Sequence, residues 1–408
     1  MNPLQPFFNM KVGMVDLSVS STEVVSLDQG ETAAYLGGAS LNRIFIEGDR
    51  HDALIFGTGP LTGSFAPASA LLVATFKSPR FGKICHVPFM LSAGPDMKFS
   101  GLDFLVIQGG ATEPSVLYIH RGGVRISPAG NLQGLSIPEL ITALKRDYPP
   151  FRSAIVTGPA GDRGMIDAAA SVGGRGGIDK AGLASRMAAK NIKAILFRGS
   201  GGLPFRNENP EQSRELITKI AADKNYRHRG FLSLLDKLEG GKEAGKRLGG
   251  LRKKDLACYH CPFPCMTHVE FTGQDAPRGK GGKTKEGLLL LDHLGWIALV
   301  GKCGKDALTS LRNCLQEGLD PGAALAPGDK FPRQAHILFG GGIAPIPPGD
   351  LWGKRVALAM ILGICPLFLL MFPRIDERDL LAFIAPQGDL GEAMQKNLSS
   401  AIESLLTA

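Results

Sequence analysis

The segment FLVIQGGATEPSVLYIHRGGVRIS, residues 104–127, consists of short apolar runs rich in Val, Ile and Leu that are separated by glycine-rich turns. Runs of about four to eight such residues, bounded by glycine or proline, are typical of β-strands. Comparable runs occur in ALIFGTGPLTG (53–63), ALLVATF (70–76), SAIVTGPAG (153–161) and KAILFRGS (193–200). We therefore predict a β-rich N-terminal domain over residues 1–203.

Helical patterns are few in this domain and dominate after it. SIPELITALKRDY (136–148) begins with Ser136 and carries Glu139 three residues later, which is a capping box, and LASRMAAKN (183–191) is a second helix. The later helical patterns are NPEQSRELITKIAADKN (209–225), FLSLLDKLEGGKEAGKRL (231–248), EGLLLLDHLGWIALVG (286–301), DALTSLRNCLQEG (306–318) and LGEAMQKNLSSAIESLLT (390–407). We predict a helical C-terminal region over residues 204–408 and an α+β fold class.

One apolar segment raises the question of a membrane span. VALAMILGICPLFLLMF, residues 356–372, contains no charged residue, and its 17 residues are the lower limit for a spanning helix. Gly363 and Pro366 interrupt it, and proline in a helix interior removes a hydrogen bond. A buried helix that breaks at GICP is the better interpretation, and we expect no membrane span.

Composition indicates a soluble protein of the cytoplasm. Apolar residues make up 44% of the 408 residues and charged residues 21%, and no secretory leader is recognisable at the N-terminus. Stable disulfides are then not expected, so clustered thiols are metal or redox candidates. The net charge of +8 suits an acidic protein partner or simply solubility, and without an Arg-rich helix carrying interleaved aromatic residues we expect no nucleic-acid binding.

Three of the seven cysteines lie in CYHCPFPC, residues 258–265, with the spacing C-x2-C-x3-C. Short turns can bring Cys258, Cys261 and Cys265 to one inorganic core, and a [4Fe–4S] cluster takes four thiolates. A mixed zinc site that uses His260 or His268 is the alternative. Three unrelated core cysteines at this density are improbable.

Several blocks resemble the aldehyde:ferredoxin oxidoreductase family of tungsten- or molybdenum-pterin enzymes, in the order in which that family has them. The blocks are YLGGASLN (35–42), LIFGTGPLTGSFAPAS (54–69), KSP (77–79), GPDMKFSGLDFLVIQGGA (94–111), VTGPAGDRG (156–164), GLASRMAAKNIKAILFRGS (182–200), ACYHCPFPC (257–265) and LGICPLF (362–368). The resemblance implies an N-terminal domain of that family's type, and Cys365 as the fourth ligand of the cluster.

The resemblance also implies an activity, a second cofactor and a partner. Enzymes of the family oxidise an aldehyde or oxo group at a tungsten or molybdenum bis-pyranopterin and pass electrons through the cluster to ferredoxin or a partner subunit. The matching pterin-binding residues here are Gly318, Leu319 and Asp320, with Arg175 or Lys180 as the basic residue of a blurred phosphate loop. The protein could form homo- or hetero-oligomers in such a function.

Four departures from the family pattern concern the pterin site. Leu71 and Pro88 stand where the family has Arg and Asn, and Leu315 and Met360 stand where it has Asp. Phosphates and ring edges need polar partners, and each lost charged contact costs about 1.5–3 kcal/mol. The chain is also shorter than is usual for the family. Two functions therefore remain open: an enzyme of the aldehyde oxidoreductase type, and a pterin-free paralogue that relays electrons or scaffolds a larger redox complex.

Overall fold

The computed structural model describes residues 4–47, 50–173, 179–201, 210–223, 236–271, 286–324, 346, 349–384 and 389–407. The strands in these ranges are β1 (Lys11–Asp16), β2 (Ser21–Ser26), β3 (Leu54–Thr58), β4 (Leu72–Lys77), β5 (Ile84–Phe89), β6 (Phe104–Gln108), β7 (Ser115–His120), β8 (Gly123–Pro128), β9 (Ser153–Val156), β10 (Ser171–Val172), β11 (Ile192–Phe197), β12 (Arg252–Leu256), β13 (Met266–Phe271) and β14 (Glu286–Leu290).

The α-helices in the same ranges are α1 (Gln29–Tyr35), α2 (Gly38–Ile46), α3 (Ala93–Phe99), α4 (Ile137–Asp147), α5 (Pro159–Asp162), α6 (Leu183–Ala189), α7 (Pro210–Ala222), α8 (Gly241–Leu248), α9 (His293–Cys303), α10 (Ala307–Glu317), α11 (Leu351–Leu362), α12 (Pro366–Met371), α13 (Glu377–Leu381) and α14 (Asp389–Leu406). The α+β fold class that the sequence predicts is confirmed.

Two mixed sheets form the N-terminal part. The first has the strand order β2-β1-β6-β3-β4-β5, in which only the β1–β6 pair is parallel, and the second has the order β10-β9-β11-β7-β8 with β11 parallel to β7. Strands β4 and β11 are buried along nearly their whole length, which requires cover on both faces of each sheet.

The shared cores show how the two sheets and the helices are layered. One core lies between the two sheets and joins Val15 and Phe56 of the first sheet to Ile155 and Ile195 of the second. The outer face of the second sheet packs against α4 through Leu140. The outer face of the first sheet packs against α2 and the C-terminal helices, so one continuous core links the two parts of the chain.

Two local signals in the sequence determine the helix boundaries that they predict. Ser136 and Glu139 form the capping box at the start of α4, with the Ser136 N–H donating to Glu139 Oε2 at 3.0 Å. Helix α11 ends at Leu362, where Gly363 adopts a φ of 87°, and α12 begins at Pro366. Because a left-handed φ suits glycine and Pro cannot continue a helix, the GICP break is confirmed.

The C-terminal region contains a feature that the helical pattern did not predict. Strands β12, β13 and β14 form an antiparallel three-stranded sheet, and β14 takes the residues that begin the apolar run EGLLLLDHLGWIALVG. A continuous apolar run does not distinguish a buried strand from a buried helix, and pairing of β14 with β13 decided between them. The helix of this segment, α9, begins only at His293 and continues past the run to Cys303.

Among the described residues, no helix has the length and apolarity needed to cross a membrane. The apolar segment instead forms α11 and α12, whose buried side chains include Val356, Met360 and Phe368. The boundary at residue 203 between two domains stays a prediction, because residues 202–209 lie outside the described ranges.

Candidate metal centre

The cysteine turn lies between β12 and β13. The N–H of Cys261 donates to the Cys258 carbonyl at 3.0 Å, which closes a four-residue turn with His260 in third position at a φ of 50°. Thiols at the two ends of this turn and at Cys265 are buried or half-buried. The spacing C-x2-C therefore produces the tight turn that it predicts.

Cys365 comes from a distant part of the chain and reaches the turn through one shared residue. Its N–H donates to the Ala68 carbonyl at 2.9 Å, and the N–H of Ala68 donates to the His260 carbonyl at 2.9 Å. The backbone of Gly59 packs against the end of α11, where a Cβ atom would overlap the Leu362 carbonyl carbon. The N-terminal part of the chain thus fixes the GICP break beside the cysteine turn.

The four thiols are close enough to influence each other's ionisation. Burial, followed by the charges of Cys261, Cys265 and Cys258, raises the pKa of Cys365 well above the usual range for a thiol. Burial and the neighbouring thiols also raise the pKa of Cys265. Burial raises the pKa of Cys258 to about 12. Burial therefore favours the neutral thiols where no positive charge lies among them.

The surroundings of the thiols are apolar apart from backbone donors. Cys258 packs with Met266 and Leu289, and Phe263 packs edge-on against Phe372 with ring centroids 6.0 Å apart. The N–H of Leu91 donates to Cys258 Sγ at 3.2 Å. Amide donors to cluster sulfur and exclusion of water are the features that tune the reduction potential of an iron–sulfur cluster.

The two kinds of metal centre that the sequence leaves open place different demands on the four thiols. Within the described ranges, no group of three or more His, Cys, Asp or Glu side chains is arranged to hold a metal ion. A tetrahedral zinc draws all its ligands to about 2.3 Å of one point, whereas a [4Fe–4S] core takes its four thiolates over a wider volume. Of the two histidines of the zinc alternative, His260 stacks its ring on Tyr259 with centroids 4.4 Å apart, and His268 lies in β13.

A second cluster of side chains contains the retained pterin-site candidates. Lys180 Nζ donates to Asp320 Oδ2 at 2.6 Å and Oδ1 at 2.7 Å, and to Asp292 Oδ2 at 2.7 Å. Both carboxylates are buried and Lys180 is nearly so. We refer to Lys180, Asp292 and Asp320 as the ion triad.

The ion triad holds its lysine charged. Burial opposes the charge of Lys180, but Asp292 and Asp320 outweigh it and raise the lysine pKa above its usual value. Burial raises the pKa of Asp320 to about 7, with Lys180 acting against this and Asp292 adding to it. The three groups satisfy one another inside the protein.

Gly318 and Leu319 lie beside the triad and make their contacts through main-chain atoms rather than through side chains. Gly318, at a φ of 70°, ends α10, and its carbonyl accepts from the N–H of Ala169 at 2.7 Å. Leu319 forms a bridge with Ala168, so this segment is attached to the N-terminal part by its main chain. Arg175, the alternative basic residue, lies outside the described residues.

The described residues fit a pterin cofactor poorly. Leu71, Leu315 and Met360 are buried members of the core that joins α2 to the C-terminal helices, and Pro88 pairs with Val73 within the first sheet. None of these side chains offers a charge or a hydrogen bond to a phosphate. Lys180 is bound to two carboxylates, so a phosphate placed at its ammonium group would be repelled by these two negative charges.

Two residues of these sites were missed or only partly understood from the sequence. Asp292 carries no distinctive site signal in the sequence: it caps α9 by accepting from the Gly295 N–H at 2.8 Å, and its other oxygen binds Lys180. Ala68 has no distinctive side chain, and its role lies in main-chain hydrogen bonds that only the fold creates.

Comparison with known proteins agrees with the resemblance. Residues 12–199 match the model of the aldehyde ferredoxin oxidoreductase N-terminal domain. The chain is 35% identical over 173 residues to a tungsten-containing aldehyde ferredoxin oxidoreductase of Pyrococcus abyssi, which is 42% of this chain and 28% of that protein. It is 25% identical over 222 residues to the WOR-like subunit of an aliphatic sulfonate oxidoreductase of Pyrococcus furiosus, covering 48% of this chain and 35% of the subunit.

A solved structure extends the likeness in fold to almost the whole chain. The active-site complex BamBC of benzoyl coenzyme A reductase superposes with a TM-score of 0.61 at 18% identity, covering 97% of this chain and 60% of the other. Residues 12–199 are therefore similar in sequence to the aldehyde ferredoxin oxidoreductase N-terminal domain. The sequence resemblance is confirmed, and the matched stretch spans about a third of the length of the curated relatives.

Proposed function

We propose that this protein is an iron–sulfur oxidoreductase of the aldehyde ferredoxin oxidoreductase type. Cys258, Cys261, Cys265 and Cys365 would hold one [4Fe–4S] cluster, which supplies one-electron transfer when bound. The electron acceptor would be ferredoxin or a partner subunit, and the protein would work in the cytoplasm. Relatives that are named as a subunit and as a subunit complex support assembly with another chain.

The observation that carries this proposal is the position of Cys365. It lies 100 residues after Cys265 in the sequence, yet its N–H donates to the Ala68 carbonyl, and the Ala68 N–H donates to the carbonyl of His260 within the cysteine turn. Single free cysteines are commonly buried as small apolar side chains, so the grouping of four from two distant segments, rather than burial itself, favours a shared metal centre. The residues themselves would exclude water and donate main-chain hydrogen bonds to sulfur.

Anaerobic purification followed by iron and sulfide analysis tests the cluster. We expect about four irons per chain, the number in a [4Fe–4S] core. Cys365→Ser should lower the iron content or shift the potential, while Cys303→Ser, on the half-buried face of α9, should leave both unchanged. One zinc per chain without iron would refute the assignment.

A second candidate function is a pterin-free electron-relay or scaffold subunit. The ion triad favours it, because Lys180 neutralises two carboxylates of the protein instead of facing a ligand phosphate. A tungsten or molybdenum bis-pyranopterin would bind only after this triad had opened. Its binding residues would then be Arg175 or Lys180 together with Gly318, Leu319 and Asp320. The cluster and its thiols are the same in both candidates.

Expression with tungstate and molybdate distinguishes the two. Stoichiometric tungsten or molybdenum, pterin fluorescence after oxidation and aldehyde-dependent dye reduction would establish the enzyme. Iron without these three signals would establish the relay subunit.

Domain expression tests the boundary that we propose near residue 203, since a folded domain of residues 1–203 would show cooperative unfolding by itself.

A further inference from the structure

A cavity of about 300 Å³ opens beside the cysteine turn. Helix α7 contributes Ile217, Ile220 and Ala221 to its described lining, and the loops contribute Phe65, His260 and Cys261. This volume is at the lower end of the range of about 300–1,000 Å³ that is usual for small-molecule sites. It suits a single substituted ring rather than a nucleotide or a peptide.

Aromatic rings are arranged in series at this cavity. The His260 ring stacks on Tyr259 with centroids 4.4 Å apart and planes 22° apart, and the Phe65 ring lies 5.8 Å from His260. Phe65 is 55% exposed and Ile217 is 60% exposed, so two large apolar side chains face solvent at one site. A flat apolar ligand would cover both.

The backbone conformation at His260 indicates that the turn does not need a histidine side chain at this position. The residue has a φ of 50° in the third position of the turn, a conformation that glycine adopts at lower steric cost. A glycine would close the Cys258–Cys261 turn equally well. The imidazole, which lines the cavity, is what the histidine adds.

The chemistry of the lining narrows the ligand. The described lining residues include no Lys, Arg, Asp or Glu, so a charged ligand would lose its hydration without compensation. The imidazole offers an N–H donor among apolar neighbours, and a ring carbonyl is a suitable acceptor. We propose that this cavity is a binding site for a small uncharged quinone, held by the rings of His260 and Phe65 and by a hydrogen bond from His260 to a quinone oxygen.

Equilibrium dialysis and saturation-transfer NMR of the full chain with duroquinone test this site. Duroquinone carries a methyl group at every free ring position, so it does not add to the cysteine thiols. We expect saturable binding of one molecule per chain. His260→Gly should weaken binding about tenfold, and Phe65→Leu should weaken it less.

Arg121→Gly is the matched control. Arg121 has a φ of 52° in the turn between β7 and β8, so this change relieves the same backbone conformation at a residue outside the described lining of the cavity. Undiminished affinity in His260→Gly, or binding that does not saturate, would overturn the proposal. The site does not depend on the cluster: binding that persists in iron-free protein supports it even where iron analysis contradicts the proposed function.

Discussion

Cys365 and Ala68 are joined by a 2.9 Å hydrogen bond from the cysteine N–H to the alanine carbonyl, across almost 300 residues of sequence. Ala68 is fully buried at a φ of 59° and also donates its own N–H to His260. One residue of the N-terminal part thus sets the distance between the two cysteine segments. The candidate metal centre therefore depends on the whole fold and not on the C-terminal region alone.

This bridge gives a prediction for Ala68. Ala68→Val should lower the free energy of unfolding by about 1–3 kcal/mol, because a β-branched residue is strained at a positive φ, and the added methyl groups have no room in the core. Iron content should fall with it. Thermal unfolding and iron analysis measure both effects.

Ala68→Gly is the control, because glycine accepts the same φ and keeps both main-chain hydrogen bonds. It should retain the iron of the unaltered protein. If Ala68→Val retained full iron and stability, the bridge would have no structural importance.

Removing the cation of the ion triad should be strongly destabilising. Lys180→Met leaves the buried carboxylates of Asp292 and Asp320 facing each other without a positive charge, and breaking such a buried pair costs about 3–5 kcal/mol. Denaturant unfolding measures the loss. In the triple variant that also carries Asp292→Asn and Asp320→Asn, much of the stability should return, and a triple variant as unstable as the single one would contradict this.

The pH dependence of stability should report on Asp320. Its pKa is about 7 in the folded protein and 3.8 in an unperturbed chain, so the folded state holds this proton more tightly between these two values. The free energy of unfolding should therefore fall as the pH rises from about 4 to 7 and level off above 7.

Asp320→Asn isolates this contribution. Burial also raises the pKa of Asp103 and Asp179, so some slope remains in any variant. The slope between pH 4 and 7 should nevertheless be smaller in Asp320→Asn than in the unaltered protein. Parallel curves from denaturant unfolding across this range would show that Asp320 titrates normally.

The sequence predicts the elements with strong local signals and misses those that depend on distant pairing. The capping box of Ser136 and Glu139 and the break at Gly363 and Pro366 are local, and both are found where the pattern places them. Strand β14 forms because β13 is available for pairing, which no window of sequence around it reveals. The GLLLL run was therefore assigned to a helix.

The same limit applies to the candidate sites. Cysteine spacing predicts the turn at Cys258–Cys261, whereas the approach of Cys365 was implied only by family resemblance. Lys180 and Asp320 were both singled out as pterin-site candidates. That they bind each other, with Asp292 as a third partner, depends on side-chain positions that the sequence does not encode locally.

The final prediction concerns Met360, which stands where the aldehyde ferredoxin oxidoreductase family has an aspartate. Met360 is fully buried in α11, and its carbonyl oxygen packs against Gly38 so closely that a Cβ atom there would overlap it. Met360→Asp places a carboxyl group in this apolar core without a partner, so it should lower stability by several kcal/mol. Leu351→Asp is the matched control: Leu351 lies on the same helix but is 68% exposed in its first turn, where a negative charge is favourable. Thermal unfolding of both variants measures the difference. Equal stability of Met360→Asp and the unaltered protein would mean that the position still accommodates the polar group of a cofactor site, and would count against the pterin-free candidate.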